Sequence, residues 1–183
     1  MKRNQFLVTA VAAVPTLLLG QTLKTQKPKR PNKAFLVKSK ESRFGEKTVL
    51  GTRPNDIKIS TKDTNGDLTI FEYTGNDRGG PPLHIHFMQD EVFYILEGDY
   101  IFQVGDEKFT AKSGDTVFAP RQTPHTFAQV SDKGKMFYLF QPSGRMEDFF
   151  RKAAQGKGIP TPEEGAKLFY DHNMKIVGPP LQF

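Results

Sequence analysis

Turn-forming residues cut the stretch from residue 56 to residue 141 into pieces too short for ordinary helices and well sized for strands. Asn65-Gly66, Gly98, Gly105-Asp106, Ser113-Gly114 and Asp132-Lys133-Gly134 all contain residues that tolerate positive φ or hydrogen-bond to their own backbone. Between and around them run eight segments: 56–62, 67–74, 91–96, 99–104, 107–112, 116–119, 125–130 and 135–141. Asn65-Gly66, between the first two, predicts a tight hairpin. Strands in this number and at this spacing predict an antiparallel sandwich or barrel over residues 46–142.

After residue 142 the apolar period changes. Met146, Phe149, Phe150 and Ala153 recur at i, i+3, i+4 and i+7, predicting an amphipathic helix. Thr161-Pro162-Glu163-Glu164 reads as a capping box with proline at the first helical position. It opens a second helix that carries Ala166 and Phe169 and ends near Asn173. Both helices are expected to lay their apolar faces on the outside of the sheet, making residues 143–183 a helical extension. The fold class expected is all-β, with two C-terminal α-helices.

Three of the four histidines fall in or beside the strand segments, as His84, His86 and His125, and Glu91 lies five residues past His86. Residues i and i+2 of a strand share a face, with Cα atoms roughly 7 Å apart at about 3.3 Å per residue. Both imidazoles can then reach one divalent cation at bonds near ~2.1 Å. Along the same alternation, His125, Phe127 and Gln129 share one face, and Glu91, Phe93 and Ile95 share another. An inward His125 takes Phe127 and Gln129 inward with it, so Phe93, Phe127 and Gln129 are candidate pocket residues. Burying three imidazoles and a carboxylate with no cation carries a heavy desolvation cost. Nitrogen and carboxylate donors suit iron, manganese, nickel, cobalt, copper or zinc, and donor type alone does not choose among them. The fourth histidine, His172, sits in the last turn of the second predicted helix. An imidazole there suits the helix dipole, and no chemical role is assigned to it.

Charge and composition remove several function classes. Residues 1–40 hold nine Lys and Arg and no acid, leaving seventeen basic against twenty acidic residues in the rest. The basicity belongs to the N-terminal arm, and no basic patch is spread over the domain, so nucleic acid is not the expected partner. The chain contains no cysteine, which excludes disulfides, thiolate ligands, a cysteine nucleophile and a lipoprotein anchor. Lys2 and Arg3 precede the apolar run 6–19, so residues 1–22 read as a secretory signal, too short to span a bilayer. The protein is therefore expected to be exported, periplasmic or secreted, with no stable membrane insertion after processing. Residues 23–45, rich in Lys, Pro and Asn, are expected to form a basic, flexible linker.

Taken residue by residue, the histidine region resembles the two signature motifs of the cupin superfamily. Gly79, His84, His86, Glu91 and Gly98 follow the first, with the opening glycine one place short. Gly114, Pro120 and His125 follow the second, with Gln122 where glycine is usual and Gln129 where asparagine is usual. The resemblance implies a jelly-roll β-barrel, assembly as a homodimer and one divalent transition metal held by His84, His86, Glu91 and His125.

A looser resemblance comes from the tail, from Gln141-Pro142-Ser143-Gly144 to Ile176-Val177-Gly178-Pro179-Pro180-Leu181. It is similar to that of single-domain cupins resembling quercetin 2,3-dioxygenase. The chain also has sixteen phenylalanines and no tryptophan. Phe71, Phe93, Phe102, Phe118, Phe127, Phe137 and Phe140 fall on predicted strands, where they can fill a core or line an aromatic cavity. The second resemblance implies a dioxygenase for a flavonol-like or other aromatic enolic substrate, with Glu91 as the base that takes the enolic proton. Two alternatives stand beside it: a metal-dependent isomerase or lyase, and an exported cupin that binds a small molecule without catalysis.

Overall fold

The computed structural model describes residues 30–156 and 161–183. The expected signal segment at 1–22 and the first part of the basic arm lie outside the described residues. Among those described, the strands in chain order are β1 (Val49–Leu50), β2 (Arg53–Ile59), β3 (Thr69–Gly75), β4 (Pro82–His86), β5 (Asp90–Glu97) and β6 (Asp99–Val104). They continue with β7 (Glu107–Lys112), β8 (Thr116–Ala119), β9 (His125–Gln129), β10 (Gly134–Gln141) and β11 (Met174–Pro180). The helices are α1 (Thr61–Thr64), α2 (Met146–Gln155) and α3 (Pro162–Tyr170).

The strands form two antiparallel sheets ordered β1-β2-β3-β10-β5-β8 and β11-β4-β9-β6-β7, an antiparallel barrel as expected from the turn spacing and the jelly roll that the cupin resemblance implies. Alternation decides which side chains face inward. On β5, Glu91, Phe93 and Ile95 are buried; on β10, Met136, Tyr138 and Phe140 are. The register sets Tyr138 opposite Phe93 and Phe140 opposite Glu91, so rings and carboxylate share the inner face. Phe71 stacks on Tyr138 with centroids 5.2 Å apart, and Phe93 meets Phe102 at 5.1 Å across the two sheets. Such rings dominate core energetics through their large buried area. Phe118 and Phe137 fall on the other face of their strands; Phe118 is 57% exposed.

Several expectations are corrected. Asn65-Gly66 does not close a two-residue hairpin. Ser60 caps α1 in a reciprocal box with Asp63, and Asn65 takes the left-handed conformation, φ +55°, that ends this single turn of helix. Local capping wins there over strand pairing. The stretch 30–45, expected to be a flexible arm, lies against the barrel. Arg43 forks onto Asp63 at 3.0 and 3.1 Å and stacks over Phe35, while the Lys40 amide donates to Glu72. The extension is not helical to its end, because β11 returns to pair with β4, with Met174 opposite His86 and Ile176 opposite His84.

The fourth correction concerns the helices, which do not lie on the outside of the sheet. Phe150 of α2 packs on Phe71 at 4.7 Å, and Phe149 meets Phe169 of α3 at 5.1 Å. Their apolar faces close the open end of the barrel. Glu147 ties α2 down, accepting from the Ser60 hydroxyl, the Thr61 amide, the Thr69 hydroxyl and Arg151.

Candidate metal centre

Both sheets contribute to one cluster. β4 presents His84 and His86 on a single face, and the register places His125, the first residue of β9, directly opposite His84. Glu91 comes from β5 in the other sheet and faces them across the interior. The segment leading into His125 is held at both flanks. Arg121 forks onto Asp90 at 3.0 and 2.6 Å, and the Gln122 amide donates to the His86 carbonyl at 2.7 Å. Gln122 adopts φ +65°, a left-handed conformation, and this explains why glycine is usual at that place in the motif.

One donor atom from each of His84, His86, Glu91 and His125 lies within 4.8 Å of all the others. The four residues are 8%, 1%, 5% and 2% exposed, respectively. His125 Nε2 is 2.9 Å, and His86 Nε2 3.4 Å, from the same Glu91 oxygen. The outer ring nitrogens decide what the inner ones can do. His84 Nδ1 faces the Pro82 carbonyl at 2.8 Å and His125 Nδ1 faces the Thr123 carbonyl at 2.9 Å. A carbonyl can only accept, so Nδ1 of each ring carries hydrogen and donates, and in the neutral tautomer Nε2 keeps a lone pair turned into the cluster. Second-sphere carbonyls of this kind orient metal-ligating histidines.

The electrostatics suit a cation. Burial, helped by the neighbouring His125, pushes His84 down to about 3, and burial with both other rings holds His86 well below the usual imidazole range. Burial raises Glu91, with the His125 contact acting against it. His125 is raised: burial pushes it down, but the Glu91 carboxylate outweighs that. Two neutral imidazoles and a hydrogen-bonded imidazole–carboxylate pair thus meet at a buried site, a donor set that fits a borderline divalent metal.

The cluster opens on a cavity of about 1190 Å³. Phe93 and Phe127 line it as expected, together with Tyr73, Tyr138, Phe140 and the helix residues Phe149, Phe150 and Phe169. Phe169 stands edge-on to His84 at 5.6 Å and Phe140 lies 5.1 Å from His86. The helical contribution was absent from the sequence expectation; the i, i+3, i+4 pattern marks a buried face without saying what it is buried against. Gln129 is not part of the lining. Its amide is taken up by the Ser131 and Gly75 carbonyls and by the Tyr73 hydroxyl, beyond the cavity. His172 is fully buried where α3 meets α2. Its ring nitrogens contact the Leu168 carbonyl at 2.6 Å and Asp148 at 3.1 Å, a joint between helices and not a solvent-facing cap.

Residues 70–141 match the family model for the cupin domain. Over 50 residues, 27% of this chain and 40% of the relative, the chain is 40% identical to an uncharacterized protein of Methanocaldococcus jannaschii. Over 111 residues, 61% of this chain and 33% of the relative, it is 28% identical to quercetin 2,3-dioxygenase of Bacillus subtilis. The chain therefore spans less than half the length of each of these curated relatives. Among solved structures, KdgF from a Halomonas species aligns with a TM-score of 0.47 at 16% identity, over 60% of this chain and 94% of that one.

Proposed function

Residues 70–141 place the chain in the cupin superfamily, and from that premise we propose that it is a metal-dependent dioxygenase acting on a flavonol-like or other aromatic enolic substrate. One observation carries the proposal: a buried carboxylate among three imidazoles at the edge of a cavity walled largely by aromatic rings. A divalent metal held by His84, His86, Glu91 and His125 would supply Lewis acidity toward an enolate and a site for dioxygen chemistry.

The remaining work falls to the chain's own side chains. Glu91 takes the enolic proton at its carboxylate oxygen, which faces the cavity at the edge of the donor cluster. Phe93, Phe127 and Phe140 offer flat faces to a planar ring system, and Phe149 and Phe169 shield the cavity from water. The similarity to the Bacillus subtilis enzyme supports the same choice. An isomerase or lyase for polar substrates needs Arg, Lys or Tyr groups free within the cavity. Among the described lining residues, Arg53 and Lys152 are paired with Asp77 and Asp148, and the Tyr73 and Tyr138 hydroxyls donate to Gln129 and Asn55. Export and homodimer assembly belong to the same proposal and rest on the sequence alone.

Dioxygen uptake by metal-loaded protein with flavonols tests it. Uptake stoichiometric with flavonol loss is expected, falling by about 10²–10⁴-fold in Glu91→Gln, the range typical of a lost general base. No uptake with any aromatic enol while metal is bound would overturn the dioxygenase and leave a binding protein or an isomerase.

A further inference from the structure

His86 differs from its two partners in how its outer nitrogen is treated. In His84 and His125 the Nδ1–H is held by the carbonyl two residues earlier. His86 Nδ1 is buried and has no hydrogen-bond partner. Gln89, three residues on in the β4–β5 turn, brings its side-chain amide up to the His86 ring. Gln89 is itself 1% exposed, and its Oε1 is a second buried polar atom without a partner. An unpaired buried polar atom forfeits its hydration with nothing in return, so two neighbouring ones of complementary type invite a single bond.

The fold makes room for that amide. A Cβ built at Gly144 would meet Gln89 Nε2 at 2.1 Å and Cδ at 2.8 Å. Gly144, at φ +52° in the turn before α2, therefore lies directly on the Gln89 side chain. Only one amide orientation is compatible with a metal on His86 Nε2. With Oε1 toward the ring, Nδ1 carries the hydrogen and Nε2 keeps its lone pair. With the NH₂ toward the ring, Nδ1 must accept, and the hydrogen moves to Nε2 and blocks it.

We propose that Gln89 is a positioning residue of the metal centre, its Oε1 accepting from His86 Nδ1–H so that Nε2 faces the ion. It does for His86 what main-chain carbonyls do for His84 and His125, and it rests on the assignment of the four residues as metal ligands. Loss of such second-sphere partners typically weakens metal binding 10–100-fold.

Copper(II) is a suitable probe, titrated into the full chain and followed by electron spin-echo modulation of the remote imidazole nitrogens. Wild type should show three imidazoles, each with a hydrogen-bonded remote nitrogen. Gln89→Met, close in volume but without an acceptor, should alter one of the three and weaken binding 10–100-fold. Gln89→Glu, which keeps an acceptor oxygen, should restore binding toward wild type. Circular dichroism and the urea midpoint establish that each variant is folded; if Gln89→Met does not fold, Gln89→Glu and Gln89→Ser carry the same comparison. Unchanged remote-nitrogen signals and affinity in the variants lacking the acceptor would overturn the role of Gln89 alone. No copper uptake by wild type would instead remove the metal centre, and the inference with it.

Discussion

At Glu91 the demands of stability and chemistry pull in opposite directions. The carboxylate is buried, raised by that burial, and shared between His125 and His86 on a single oxygen. Removing one partner of a buried ion pair is destabilising when the charge left behind cannot be relieved, but His125 can shed its proton and accept from the amide of a glutamine at this position. Metal-free Glu91→Gln is therefore expected to match or exceed wild type by up to about 1–2 kcal/mol in urea unfolding, even as it loses metal affinity. A metal-free variant less stable than wild type by a comparable amount would mean that the carboxylate serves the fold. The legibility of the site at this scale follows from strand geometry. His84 and His86 could be read together because i and i+2 share a face, and the motif spacing brought in Glu91 and His125. Gln129 shares the His125 face, but four residues carry it roughly 13 Å along the strand, past the cavity. Periodicity gives the face and not the depth.

At the scale of elements, the segments that escaped the sequence are those whose partners are distant. β11 contains Gly178, Pro179 and Pro180, poor strand formers, and it pairs only as an edge strand along β4. The segment 30–45 has no periodic pattern, yet it is fastened to the barrel by Arg43 on Asp63 and by a set of contacts around the buried Glu72. Glu72 receives the Lys40 amide at 2.8 Å and the Lys58 and Lys135 ammonium groups at 3.5 and 3.3 Å. Lys58 also reaches the Lys38 and Glu41 carbonyls, both at 2.7 Å. Burial acts to raise Glu72, but these donors outweigh it and hold the carboxyl below its ordinary 4.5. A lowered carboxyl contributes stability that is present above its unfolded value and lost as pH falls through the folded one. Asp56 nearby is raised, by burial first, and has the opposite sign, so a substitution is needed to separate the two. From about pH 5 to about pH 3, wild type should lose stability more steeply than Glu72→Gln in urea midpoints taken along the pH series. Parallel curves would show that Glu72 does not carry the acid sensitivity of the arm contact.

Across the whole molecule, two sheets, one of them completed by the returning C-terminal strand, and a pair of helices converge on one cavity. The first sheet gives Glu91, the second gives three imidazoles, and α2 and α3 cover the cavity beside them. The turn pattern was enough to indicate the barrel, since each glycine-rich break has a local cause. Gly98 is an example, at φ +88° with the Lys133 carbonyl 2.5 Å from where a Cβ would stand. The closure by helices was not legible, because it depends on which apolar face finds which opening. Metal analysis of the anaerobically purified full chain, alongside His84→Ala/His86→Ala, tests most directly whether the four donors hold an ion. One transition-metal ion per wild-type chain is expected, with the double variant folded and essentially metal-free. A wild-type chain that takes up no metal on reconstitution, or a double variant that keeps a full equivalent, would contradict the account.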